Sequence, residues 1–132
     1  MSETLNWVER RHRAEGNLSR SKPSIWRDVC NAVTDAARSF NELYGGKAEV
    51  NTVNGHRCRV VLEGNSKREI DLDFDDANSR INVSCVGSPW GSKSYQIEAD
   101  HNSAFIVDAK RNRLGSEELS EDILSPYFFP RP

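Results

Sequence analysis

The feature that most constrains this chain is a change of hydrophobic period at Gly45-Gly46. Before it, apolar residues fall at Ile25, Trp26, Val29, Ala32, Val33, Ala36, Ala37, Phe40, Leu43 and Tyr44, a spacing of three to four that puts them on one helical stripe. After it the spacing becomes two, as in pleated strands with one packed face and one wet face. A chain that makes this switch once must lay an amphipathic helix on an antiparallel sheet. The fold class expected is therefore α+β: a long N-terminal helix on a curved, roughly six-stranded antiparallel meander, closed by a short C-terminal helix.

The spacing predicts the main helix from about Lys22 to Tyr44, with Ser21 as its cap, Pro23 in its first turn and Gly45-Gly46 at its end. Glu3 to Arg13 reads as a shorter helix, and Gly16, Asn17 and Ser19 to Ser24 as a linker. Residues 1–20 are thus an arm or short helix, and 21–132 the helix-plus-sheet core of a single domain spanning 1–132.

Six strands are expected at Ala48–Val53, Arg57–Glu63, Glu69–Phe74, Arg80–Val86, Ser94–Ala99 and Ala104–Ala109. Keeping apolar residues on one face pairs Leu62 with Ile70, Cys58 with Phe74, Phe74 with Ile81 and Ile70 with Cys85. Burial also sets Val50 opposite Val60, which a simple two-residue turn at Asn54-Gly55 does not allow, so a bulge or longer loop is expected there. The strand Ala104 to Val107 is apolar on both faces and needs a second cover. Ser116 to Leu124 reads as the final helix, capped by Ser116 and stopped by Pro126.

Six strands about 4.8 Å apart make a sheet about 24 Å wide, whereas a helix is about 10 Å across. The long helix alone leaves part of the packed face open, to be covered by the terminal helices, by curling of the sheet or by another subunit.

Charge narrows the partners. Eighteen Lys and Arg against 20 Asp and Glu give a net charge of -2, which argues against a whole-domain footprint for nucleic acid. The locally basic stretch Glu9 to Lys22 reads as a solvated linker. With no apolar run of about 18 residues and no apolar signal region, a cytoplasmic protein off the membrane is expected. Cys30, Cys58 and Cys85, like His12, His56 and His101, are too scattered for a metal site, and no cofactor is implied.

Alternation places Asp71, Asp73 and Asp75 on one face, a row compatible with carboxylates gathering a divalent cation. Arg57, Arg59 and Arg80 on the neighbouring strands offer a simpler account, with Arg59 opposite Asp73 and both Arg57 and Arg80 opposite Asp75. Trp90, in the loop Gly87 to Ser92, is a candidate contact or a plug for the open sheet. The aromatic run Tyr127-Phe128-Phe129 must dock on its own chain or on a second one. A pocket between helix and sheet would lie near Trp26, Phe40, Tyr95 and Phe105.

Three functions are consistent with this inventory. A non-catalytic protein-interaction module, binding another protein or a second copy of itself as a homodimer, is favoured over a small-molecule-binding domain. A metal-dependent phosphoryl-transfer enzyme using Asp71 and Asp73 ranks last, because nucleophile, base and phosphate-loop patterns are missing.

Overall fold

A computed structural model describes residues 4–63, 68–86 and 91–129. The element order is α1 (Trp7–Tyr44), β1 (Ala48–Asn54), β2 (Arg57–Leu62), β3 (Arg68–Asp75), β4 (Arg80–Val86), β5 (Ser92–Ala99), β6 (Ala104–Val107), β7 (Arg113–Leu114) and α2 (Ser116–Phe128). The fold is α+β, as expected: the strands form one antiparallel sheet in chain order, and both helices pack on its apolar face.

The expected break in the N-terminal half does not occur. α1 runs unbroken for 38 residues, with Gly16 and Pro23 inside it, so residues 7–20 belong to the main helix and form no separate arm or linker. Its start is fixed by a capping box: the Asn6 side chain accepts from the Glu9 amide at 2.9 Å, and Glu9 accepts from the Asn6 amide at 3.4 Å. A glycine and a proline inside a helix together cost about 4 kcal/mol. Tertiary anchors on both sides of Pro23 oppose that cost. Leu18 and Ile25 pack on the core, Asn17 donates to the Asp100 carbonyl at 3.0 Å, and Lys22 donates to the Asp76 carbonyl at 2.8 Å.

At the other end Gly45 takes the left-handed conformation (φ 64°) and closes the helix through its own N–H to the Phe40 carbonyl. Asn41 then reaches over to β1. Its amide donates to the Ala48 carbonyl and its carbonyl accepts from the Ala48 N–H, both at 2.8 Å, as a neighbouring strand would.

The registers Val50↔Val60, Phe74↔Ile81 and Ile70↔Cys85 are as read from the pattern, and an irregularity falls between Thr52 and Asn54 as expected. Between β2 and β3 the pairing is offset by two residues. Val60 faces Ile70 and Cys58 faces Leu72, in place of Leu62 with Ile70 and Cys58 with Phe74. A slip of two keeps every side chain on its face, so burial alone cannot detect it.

A seventh strand, two residues long, escaped the periodicity argument. β7 pairs with β6, and Arg113 lays its guanidinium 3.7 Å from the centre of the Phe105 ring. This is the second cover that β6 required.

α2 also departs from expectation. It continues through Pro126 to Phe128, and its cap is Gly115, whose N–H is held by the Glu118 carboxylate at 3.1 Å. Burial of Tyr127 and Phe128, each favourable by about 2 kcal/mol, offsets one lost backbone bond at the proline.

The core lies between the helices and the sheet. Val29, Val33, Leu72, Ile81, Leu119 and Ile123 have no exposed surface, and Leu124 and Tyr127 extend the cover that α1 alone could not provide. Among the described residues, no helix is long and apolar enough to cross a membrane.

Candidate functional site: an aromatic groove with an acidic rim

α1 and α2 lie side by side, and small residues set how closely. Ala32 and Ala36, one turn apart, face α2, whose Ser120 hydroxyl donates to the Ala32 carbonyl at 3.4 Å. Towards the end of α1 the side chains grow to Phe40, Leu43 and Tyr44, while α2 ends in Phe128 and the cap residue Phe129. The helices therefore enclose a groove of about 810 Å³, narrow at the alanines and aromatic at its mouth.

Four rings build that mouth. Phe40 stacks on Phe128 with centroids 4.2 Å apart and planes 2° apart, and meets Phe129 edge-on at 5.7 Å. Tyr44 meets Phe129 at 4.9 Å. Both geometries suit the ring quadrupoles. Part of the cluster remains wet: Leu43 is 77% exposed, Tyr44 67% and Phe129 49%.

The rim is acidic. Asp35, Glu117 and Glu121 line the groove, and α2 carries Glu117, Glu118, Glu121 and Asp122 with no Lys or Arg. Asp35 has Arg38 at 3.0 Å, and Asp122 has Lys93 at 3.3 Å, which leaves the two groove-lining glutamates of α2 to set the local field.

The residues singled out in the sequence do not all meet here. Phe128 and Phe129 do. Tyr127 is buried on the other side of α2, where its hydroxyl meets the Cys85 sulfur. Tyr127 and Phe128 thus dock on their own chain, the preferred reading of the tail. Trp90 lies outside the described residues.

The four residues expected around a helix–sheet pocket are dispersed. Trp26 is in the core, stacked on Phe74 at 5.5 Å with its indole N–H donating to the Gly55 carbonyl at 2.9 Å. Tyr95 is buried beneath α2 and donates to Asp122. Burial and that carboxylate push its phenol well above the ordinary range. Phe40 belongs to the groove, and Phe105 alternates onto the outer face under Arg113.

The acidic row of β3 is a charge ladder. Asp71 has Arg59 at 2.8 Å, Asp73 has Arg57 at 3.9 Å, and Asp75 sits opposite Arg80. The first two pairings differ by two residues from the expected ones, as the register offset dictates. Asp71 and Asp73 border a shallow polar depression of about 600 Å³ on the outer face, whose charges face one another. Asp75 serves the turn that follows it: Asn78 hydrogen-bonds hold its carboxyl below the usual range. Among the described residues, no group of three or more His, Cys, Asp or Glu could hold a metal ion.

One thiol contact was also missed. Cys30 of α1 faces Cys58 of β2, and the neighbouring thiol, together with burial, pushes Cys30 well above the ordinary thiol range. Cys58 and Cys85, two strands apart, do not meet, as the pattern required.

Leu43, Tyr44, Glu117 and Glu121 were not picked out as site residues. The available signal was in the helix itself, whose apolar stripe continues to its last residue, beyond its last fully buried position at Ala37. Comparison of the chain with protein-family models, with curated protein sequences and with solved structures returns no match.

Proposed function

We propose that this chain is a protein-interaction module that receives a basic amphipathic helix in the groove between α1 and α2. The observation that carries this reading is the coincidence, in one groove, of wet aromatic and aliphatic side chains with a carboxylate rim. Leu43, Tyr44 and Phe129 offer an apolar seat, and Glu117 and Glu121 offer partners for Lys or Arg on the flanks of an incoming helix.

The other two readings have weaker support. A small molecule between helix and sheet would compete with Trp26, Val29, Val33 and Leu72, which already occupy that space with little or no exposure. A catalytic cation at β3 would compete with Arg57 and Arg59 for the same oxygens.

The test uses two fluorescent helical peptides with the same leucine and tryptophan face, one with a lysine polar face and one with a glutamate polar face. The lysine peptide is expected to bind, to bind at least about tenfold more weakly to a Leu43→Lys variant, and to weaken as salt is raised past the ~8 Å Debye length of physiological buffer. Equal binding of both peptides, or none of either, overturns the reading.

A further inference from the structure

We infer that the helix this groove receives is the projecting start of α1 from a second copy of the same chain, an inference that rests on the groove reading above. Every residue from Asn6 to Arg13 is exposed, so about two turns of α1 stand clear of the domain before the first partly buried position at Ala14. A free helical end is usually polar, yet this one carries Trp7, 68% exposed, and Val8, 53% exposed. Beside them are Arg10, Arg11 and Arg13, within a stretch from Glu9 to Lys22 that has five Lys or Arg against two Glu.

The two surfaces are complementary in chemistry. Leu43, Tyr44 and Phe129 leave apolar surface in water at the mouth of the groove, and Glu117 and Glu121 line it with negative charge; the projecting end offers an exposed indole and arginines. They cannot meet within one molecule. At 1.5 Å per residue, Trp7 and Tyr44 lie about 55 Å apart at opposite ends of the same helix. Two copies placed with their α1 helices antiparallel bring each Trp7 to the other's groove at once, and a two-fold arrangement closes on itself without leaving a free site.

Sedimentation velocity of the full chain between about 10 and 300 µM tests this, with Trp7→Ser and Leu43→Lys variants whose melting midpoints are checked against the parent; this span covers the dissociation constants expected of contacts at the small end of the interface range. The parent is expected to shift from monomer to dimer with concentration and to return to monomer in about 0.5 M salt, where screening shortens to a few Å. Each variant alone should self-associate at least about tenfold more weakly, because each breaks both copies of the contact. Mixing the two variants restores one intact contact per pair, so the mixture should dimerise more than either does alone. A dimer that persists in both variants, or a mixture no better than its components, overturns the inference. A monomer at 300 µM that still binds the lysine peptide overturns it while leaving the groove reading in place, whereas loss of peptide binding removes the groove reading itself.

Discussion

Phe40 and Phe128, 88 positions apart in the chain, lie with their rings 4.2 Å apart and almost parallel, and the backbone of Gly46 runs against the Phe40 ring. A Cβ on Gly46 would come within 2.2 Å of that ring, so the chain's exit from α1, the ring and α2 are held as one unit. Phe128→Ala is therefore expected to destabilise the protein by about 3 kcal/mol through lost burial and stacking. Gly46→Ala must displace Phe40 and should cost more than Gly45→Ala, where nothing lies within 4 Å and only the left-handed conformation opposes a side chain, at roughly 1 to 2 kcal/mol. Urea denaturation of the three variants gives the ranking. A Gly46→Ala midpoint above that of Gly45→Ala would contradict it.

Tyr95 links the sheet to α2 through Asp122, and its raised phenol has a defined consequence. A group whose pKa is higher in the folded state contributes stability that is fully present below its unfolded value, near 10, and is lost as the pH rises further. The protein should therefore lose stability above about pH 10, and Tyr95→Phe should flatten that loss while costing about 1 to 2 kcal/mol at neutral pH. Thermal melts from pH 8 to 11 on the two proteins check both statements.

Three surface turns predict the behaviour in acid. Asp75, Asp100 and Asp108 each accept hydrogen bonds from the turn they open, and each carboxyl is held below its usual range, first by Asn78 for Asp75, by the Ser103 amide for Asp100 and by the Asn112 amide for Asp108. A depressed folded pKa gives stability that is present above the unfolded value and is lost as the pH falls through the folded one. The melting midpoint should change little through these groups between pH 7 and about 5 and decline below about 4. Asp75→Asn should shallow that decline; an acid limb identical to that of the parent would remove Asp75 from the account.

The aspartate row on β3 should be indifferent to metals. Millimolar Mg²⁺ or Mn²⁺ is expected to leave the melting midpoint unchanged, since a cation binding only the folded state would raise it. Arg59→Ala should lower stability far less than Leu72→Ala, because Arg59 and Asp71 pair at the surface whereas Leu72 has no exposed surface. A clear upward shift with metal would instead make Asp71 and Asp73 ligands.

Much of this arrangement was legible in the residues because a pleated strand has only two faces. Ile70, Leu72 and Phe74 point inward and Asp71 and Asp73 outward whichever neighbour they have, so the layer and its packed side followed from alternation. The β2–β3 register did not, since a slip of two preserves the alternation while moving Arg59 from Asp73 to Asp71. The continuity of α1 was hidden for a different reason. Gly16 and Pro23 oppose a helix locally, and what overrides them, Asn17 on Asp100 and Lys22 on Asp76, comes from segments more than 50 residues away. The groove was least visible, because Phe40 and Phe129 look like a helix stripe and a tail until two elements from opposite ends of the chain are set side by side.

Asn41 gives the sheet a terminus on its β1 side. An open edge strand is a template on which further strands, from this chain or another, add by ladder bonding, the first step toward fibrils. By supplying a donor and an acceptor to Ala48 in the geometry of a strand, one helical side chain occupies the first rung of that template. A newcomer would have to dislodge it before the ladder could lengthen from that end.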